Sequence, residues 1–169
     1  GIEGGLDTSI KNIDEFIGGN KSFDDVLDDY AKVYADKINF NQAWSWDDTI
    51  PGGENLTKKQ RSIIKQQAID TGLITDIKVT KVEGMRYGFA DFESAGVVKE
   101  TQYLPENMWK MSDAEQFKWL DEQIGGTVDG YTWHHTEIPG KMQLVPTGIH
   151  NITTHNGGRT AGMWADAPR

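Results

Sequence analysis

Hydrophobic residues recur at helical spacing in three stretches of the chain. Apolar positions three and four residues apart predict helices over residues 22–38, 57–72 and 112–124. The second and third helices begin at a capping box, in which a Ser or Thr and a Glu or Gln three residues later bind each other's backbone N–H groups. Both end at glycines, which commonly follow the last helical turn.

Elsewhere the pattern is that of strands. Alternating positions rich in β-branched and aromatic residues predict strands within ITDIKVTKVE, MRYGFADF and SAGVV, over residues 74–98. Residues 131–133 and 142–145 are two further strands, joined by a Pro-Gly turn. Thr147 then caps a predicted helix of about two turns that closes at Asn156-Gly157-Gly158. We therefore expect an α+β protein that ends in strand, turn, strand and short helix.

Charge is unevenly distributed along the 169 residues. The formal net charge is −9, and residues 1–50 hold eleven acidic and four basic residues, whereas the last 43 residues hold three of each. An acidic chain is a poor general binder of polyanions, because neutralising phosphates requires Lys and Arg. This argues against a sequence-tolerant nucleic-acid coat protein. It leaves open an enzyme that holds one phosphate through a bound metal ion.

All four histidines lie in the 22 residues from His134 to His155, and the chain contains no cysteine. The lack of cysteine excludes disulfides, thiolate zinc sites and cysteine nucleophiles. Imidazole titrates near neutral pH and also binds transition metals. The cluster therefore predicts a functional site, with chance clustering on a surface loop as the alternative.

The spacing of the histidines predicts unequal roles. Alternation along a strand directs His134 and His135 to opposite sides, so one can share a metal ion with the helix while the other faces a substrate. His150 and His155 are both expected on the last helix, where a separation of five residues makes them diverge by about 140°. His155 can join His150 only if the helix loosens near Gly157; otherwise it has another task, such as holding a phosphate.

Four sequence blocks in this region carry a resemblance to a known family. GYTWHH at 130–135, MQLVP at 142–146, His150 and HNGG at 155–158 resemble the WHH branch of the HNH/endonuclease VII nucleases, whose fold is the ββα-metal finger. The resemblance covers about the last 40 residues. Such domains typically form the C-terminal tip of bacterial polymorphic toxins, including contact-dependent inhibition effectors and LXG-type toxins.

The resemblance implies a role for each histidine. His135 would be the general base that activates water, and His134 would lie on the metal side. His150 and His155 would complete a site for one divalent ion, which could be zinc, magnesium, manganese or nickel. The two helix histidines are further apart than in colicin-type DNases, where one turn separates them, and this puts His155 in question as a direct ligand.

Two charged residues are further candidates for the reaction. Arg159 is placed to clamp a phosphate oxygen, with an exposed surface arginine as the alternative. Glu137 is expected either to orient His135 or to be exposed. The chemistry fits phosphodiester cleavage, because a metal ion neutralises the phosphate while a histidine takes the proton from water.

The resemblance also implies an organisation and a setting. We expect the ββα finger at 130–158 to pack on a mixed body of helices and antiparallel strands within a nuclease domain at 51–169. Residues 1–50 form an acidic helical segment that helps the protein enter a target cell, meets a basic partner or braces the nuclease. The chain would be the C-terminal domain of a secreted or surface-delivered toxin that acts in the target-cell cytoplasm. It would have a cognate immunity protein as partner and no membrane-spanning segment.

The substrate and two rival functions can be weighed from the same residues. DNA is favoured as substrate, and RNA, including tRNA, is the main alternative. A zinc peptidase would require H-E-x-x-H, whereas His150 and His155 are five apart with no acid between them. A binding module that holds zinc with all four histidines is the other rival, although structural zinc sites usually contain cysteine.

Overall fold

Three helices make up the N-terminal unit. The computed structural model describes residues 2–169, with side chains from residue 6 onward, and Gly1 lies outside the described residues. The chain divides into two units, Gly1–Asp76 and Ile77–Arg169. The elements of the first unit are α1 (Ile2–Ile17), α2 (Leu27–Asn39) and α3 (Lys58–Asp70), with 3-10 turns at Asp24–Val26 and Gly53–Asn55.

The central helix α2 organises this unit. It packs against both α1 and α3, and its buried positions recur at helical spacing. Tyr34 stacks on Trp46 with ring centroids 5.1 Å apart, and the Tyr30 hydroxyl donates to the Pro51 carbonyl at 2.8 Å. These contacts fasten the loop at 45–56 to α2. The division after Asp76 therefore differs from the boundary expected in that loop.

A three-stranded antiparallel sheet is the centre of the second unit. It consists of β3 (Glu100–Tyr103), β4 (Tyr131–His135) and β5 (Lys141–Pro146) in the order β3-β5-β4. In the β4–β5 hairpin, Trp133 lies opposite Leu144 and His134 lies opposite Gln143. The hairpin confirms the strand, turn and strand expected from the sequence. It also makes β4 an edge strand.

The strands expected over residues 74–98 are much shorter in the structure. β1 (Val79–Thr80) and β2 (Phe89–Ala90) form a separate two-stranded antiparallel pair, and SAGVV lies in turn and extended backbone. Gly96 adopts positive φ and interrupts the run SAGVV, and Gly84, also at positive φ, lies in the turn between the other two runs. Pairing with β5 begins only at Glu100. The prediction of longer strands was therefore wrong in this region.

One face of the sheet is covered by α4 (Asp113–Gln123) and forms the core of the second unit. The Ser112 side chain accepts from the Glu115 N–H at 3.3 Å and caps this helix, which is one half of the predicted capping box. The buried core residues are Leu104, Leu120, Trp133, Met142, Leu144, Trp164 and Ala165. The α+β class expected from the sequence is confirmed.

The last helix is shorter than expected and places His155 outside it. α5 spans Thr147–Ile152 and contacts β4 and β5, which completes the ββα arrangement. Thr153 is already extended, so His155 lies in the following loop. The expectation of His150 and His155 on one helix was therefore wrong. The loop frees His155 from the angular divergence that an ideal helix imposes.

The glycine pair after His155 has a packing role. A Cβ at Gly157 would lie 2.4 Å from the His135 carbonyl oxygen, and one at Gly158 would lie 2.4 Å from the Trp164 ring. The Gly158 N–H donates to that same carbonyl at 3.0 Å. Only residues without a side chain allow the loop to approach the end of β4 so closely.

Among the residues that the structure describes, no helix has the length and apolar character needed to cross a bilayer.

Candidate active site and metal centre

Three of the four histidines come together beside the ββα element. His134 of β4, His150 of α5 and His155 of the following loop each offer a ring nitrogen, and these nitrogens lie within 4.8 Å of one another. His134 is 3% exposed. Three different elements therefore supply one side chain each to a single cluster, which we call the histidine triad.

Hydrogen bonds orient the rings of the triad. His155 Nδ1 lies 2.6 Å from the Thr153 carbonyl oxygen, which can only accept, so Nδ1 carries the proton and Nε2 has a free lone pair. That Nε2 lies 3.3 Å from His134 Nδ1. His150 Nδ1 lies 3.3 Å from Asn151 Oδ1, which leaves its Nε2 as the free nitrogen. Bonds of this kind fix the tautomer of metal-binding histidines.

An aromatic wall closes one side of the triad. The buried Phe92 packs against all three rings, with its centroid 4.9 Å from that of His134, 5.6 Å from His155 and 5.9 Å from His150. Asn156 ties this region together, because its N–H donates to the Gly88 carbonyl and its side chain to the Tyr87 carbonyl, each at 2.8 Å. The segment MRYGFADF, residues 85–92, thus forms one wall of the site.

Burial keeps the triad uncharged at neutral pH. It lowers the pKa of His150 to about 4, with a further contribution from His155, and it lowers the pKa of His155 itself. Burial also lowers the pKa of His134, as do the neighbouring His150 and His155, because two like charges at this distance repel. Neutral imidazoles have the free lone pairs that metal binding requires.

The donor set fits one divalent transition metal ion. Imidazole suits zinc and nickel better than magnesium or manganese. The 3.3 Å between His155 Nε2 and His134 Nδ1 is close to the separation of about 3.3 Å expected between nitrogens at 2.0–2.1 Å from a tetrahedral ion. Three protein ligands leave a position for water or substrate, as in catalytic zinc sites. Among the described residues, a closed site of all four histidines is not formed.

His135 lies on the opposite face of the sheet from the triad. Its Nε2 is 2.8 Å from Gln116 Oε1 and 3.9 Å from Asp113 Oδ1, and its ring packs beside Phe117 and Trp164. Burial and the Arg159 charge lower its pKa to about 4, although Asp113 opposes the shift. The ring is therefore neutral at pH 7.

Arg159 is buried and fully engaged with the protein. Its guanidinium donates five hydrogen bonds, at 2.7–3.4 Å, to Asp113 Oδ1, Gln116 Oε1 and the carbonyls of Met111, Ala165 and Ala167. These bonds occupy every N–H direction of the guanidinium. The geometry therefore favours neither the expected phosphate clamp nor an exposed arginine. Arg159 instead braces the groups that surround His135.

Glu137 is exposed and belongs to a different part of the surface. It lines a cavity of about 320 Å³ with Ile138, Lys141 and Gln143, beside the β1–β2 pair. The described hydrogen-bond and ion-pair partners of the His135 ring are Gln116 and Asp113. The structure thus does not place Glu137 where it would orient His135.

Sequence reasoning missed Gln116 and Asp113 as residues of the site. Both lie on α4, and Gln116 is 19 residues before His135, so local rules do not predict the pairing itself. One signal was present: Gln116 is four residues before the core Leu120, which places a polar side chain on the buried face of the helix.

A single cavity brings the two sides of β4 together. It has a volume of about 260 Å³, and its lining includes all four histidines, Arg159 and Arg169. Because β4 is an edge strand, one cavity can reach side chains that point to either face of the sheet. Arg169 is 68% exposed and forms an ion pair with Asp113 at 3.2 Å. It is a further cation at this cavity that sequence reasoning missed.

Comparison with known proteins identifies a family for this region. Residues 122–165 match a family model described as WHH, a nuclease of the HNH/ENDO VII superfamily with conserved WHH. The match contains Trp133, His134 and His135 as well as the rest of the triad. None of the curated proteins and none of the solved structures compared with the chain matches it.

We predict that loss of a triad histidine abolishes tight metal binding, whereas loss of His135 does not. Alanine at His134, His150 or His155 should weaken zinc binding by more than the roughly 10–100-fold that loss of an outer partner typically costs. His135→Ala is the matched control and should bind zinc within about threefold of wild type, because it lies outside the triad. Isothermal titration calorimetry measures this. Equal losses in all four variants would indicate a four-histidine site instead.

The metal-free protein should lose stability as the pH falls. The folded-state pKa values of the histidines lie below the ordinary value of 6.5, so the unfolded chain binds more protons between about pH 6.5 and 4. The free energy of unfolding should then fall by about 1.4 kcal/mol per pH unit for each histidine that takes up a proton on unfolding. Urea unfolding at pH 7.5, 6.0 and 5.0 tests this. His134→Asn should show a smaller decrease than wild type, and an equal decrease would contradict the assignment.

Proposed function

We propose that the chain is a metal-dependent DNase used as a toxin between bacteria, because residues 122–165 match the model of the WHH family, whose members are nucleases of the HNH/ENDO VII superfamily. The observation that carries the mechanism is the separation of a three-histidine cluster from His135 by the edge strand β4. Three ligands would leave one position of a four-coordinate ion open for water or substrate, and His135 has its own set of partners. In this arrangement metal binding is the task of the triad, and proton transfer is the task of His135.

The triad would hold the metal ion, and His135 would act as the base. When bound, the ion supplies Lewis-acid stabilisation of the negative charge on the phosphate and on the leaving oxygen. His135 is neutral at pH 7 and takes a proton from the attacking water. Its Nε2 is occupied by Gln116, so the free nitrogen is Nδ1. Phe92 excludes water from one side of the triad and strengthens the electrostatic interactions within it.

Local charge supports an anionic substrate even though the chain is acidic. Arg159 and Arg169 line the cavity, and both pair with the Asp113 carboxylate. Arg169, with its exposed side chain, is the better placed of the two to meet a phosphate. The site therefore attracts a phosphodiester locally, while the overall charge of −9 discourages extensive binding to the nucleic-acid backbone.

The preference for DNA and the toxin role rest on the kind of protein in which WHH domains typically occur. We propose that the chain is the C-terminal domain of a secreted or surface-delivered toxin, that it acts in the cytoplasm of the target cell, and that a cognate immunity protein protects the producer. Residues 1–50 would serve delivery, partner binding or bracing. RNA is the alternative substrate, because the same metal and base can cut either polymer.

We predict that purified protein nicks plasmid DNA with zinc or nickel and that a chelator stops the reaction. His135→Ala should lower the rate by about 10²–10⁴-fold, the usual contribution of a general base, and should still bind metal. Total RNA is assayed in parallel. Rapid cleavage of RNA while the plasmid remains intact would show that the substrate is RNA and not DNA. Cleavage that resists chelator, or that survives in His135→Ala, would rule out the mechanism.

We also predict that the chain is toxic when produced in the bacterial cytoplasm. Induction should arrest growth with degraded DNA, whereas His135→Ala should be produced to the same level without arrest, because it retains the fold but lacks the base. Growth curves and agarose gels of total DNA and RNA measure this. Normal growth with active, soluble wild-type protein would exclude the toxin role while leaving the nuclease assignment intact.

A further inference from the structure

We propose that Gln116 is a positioning residue that holds His135 as its Nε2–H tautomer and thereby reserves Nδ1 for the water that attacks the phosphate. This inference rests on the proposed function of His135. Gln116 and its neighbour Asp113 lie on α4, outside the matched residues 122–165. The orienting group is thus supplied by the body of this chain and not by the ββα element.

The orientation of the Gln116 amide is determined by its surroundings. Its side chain is fully buried, and its Nε2 donates to the carbonyls of Met108 at 2.9 Å and Trp109 at 3.0 Å. If the amide were flipped, Oε1 would face two carbonyl oxygens, and Nε2 would face the N–H of Arg159. Both contacts would then be repulsive, so the amide has one satisfactory orientation.

The Gln116 oxygen in turn determines where the His135 proton lies. Oε1 accepts from Arg159 Nη2 at 3.0 Å and lies 2.8 Å from His135 Nε2. An amide oxygen can only accept, so His135 Nε2 must carry a hydrogen. The Asp113 carboxylate, 3.9 Å from the same nitrogen, favours this arrangement electrostatically. In the neutral ring Nδ1 is then unprotonated.

Arg159 makes the arrangement rigid. Besides Gln116, it binds Asp113 Oδ1 at 2.7 Å and the carbonyl oxygens of Met111 at 2.7 Å and Ala165 at 3.0 Å. It therefore cannot leave Gln116 without breaking several buried bonds, each of which would expose an unsatisfied partner. A buried polar network in which every member is satisfied specifies one geometry. Here that geometry includes the tautomer of His135.

The tautomer can be measured directly in the metal-free protein. Two-bond ¹H–¹⁵N correlation spectra at pH 7.5 separate protonated from unprotonated ring nitrogens, and the His135 signals are those missing in His135→Asn. We expect a protonated Nε2 and an unprotonated Nδ1 in wild type. A protonated Nδ1 in the wild-type protein would overturn the proposal without any need for a variant of Gln116.

Substitution tests whether Gln116 is the cause. Gln116→Met keeps the size of the side chain but removes the acceptor, so the His135 nitrogen shifts should move towards an average of the two tautomers. kcat should fall by about 10–100-fold, part of the contribution of a general base, with KM and zinc affinity within about threefold. An unchanged tautomer and kcat in folded Gln116→Met would contradict the proposal.

Asp121→Ala is the matched control. It removes another hydrogen bond between α4 and β4, from Trp133 Nε1 to Asp121 Oδ1 at 2.8 Å, without touching His135. It should leave the His135 spectrum unchanged, and a change as large as that in Gln116→Met would show a general structural effect and overturn the proposal. A wild type that shows the Nε2–H form but cuts no nucleic acid would refute the proposed function and leave the tautomer assignment supported.

Discussion

The site depends on the alternation of side chains along β4. Successive residues of a strand point to opposite faces of the sheet, so adjacent histidines cannot serve the same centre. The His134 side chain points towards His150 and His155, and the His135 side chain points towards α4. Because β4 is at the edge of the sheet, both faces open onto one cavity. Two imidazole groups are thus placed side by side by backbone geometry, and each receives its own environment.

Those two environments share one requirement, a neutral imidazole ring, and burial satisfies it in both. Desolvation lowers the pKa of all four rings, which frees lone pairs on the triad for a cation and keeps His135 uncharged. Burial alone does not determine which ring nitrogen carries the proton. The Thr153 carbonyl determines it at His155, and the Gln116 amide determines it at His135. Burial sets the charge of the rings, and single hydrogen bonds set which nitrogen is free.

What could be predicted from the sequence is what local rules govern. The capping box at Thr57, the hairpin and the opposed directions of His134 and His135 follow from periods of 3.6 and 2 and from turn residues, and all three appear in the structure. The end of α5 could not be read from the glycine pair, because those glycines are required by close contact with β4 and Trp164. The sequence also predicted that Arg159 clamps a phosphate, because the partners that occupy its guanidinium are not evident from its neighbours in sequence. Three of its five partners, Asp113, Met111 and Gln116, lie 43 to 48 residues earlier in the chain, and only the folded chain brings them to Arg159.

The early end of α5 also explains how the unusual histidine spacing still yields a compact cluster. On a continuous helix, residues 150 and 155 would point about 140° apart. Here the chain leaves the helix after Ile152, and the extended Thr153 presents its carbonyl to His155 Nδ1. The ring is thereby turned so that its Nε2 meets His134. A strand, a helix and a loop each contribute one histidine, so the cluster exists only when all three are folded together. Metal binding to such a cluster is coupled to folding, because an ion that binds the native cluster more tightly than the unfolded chain stabilises the whole second unit.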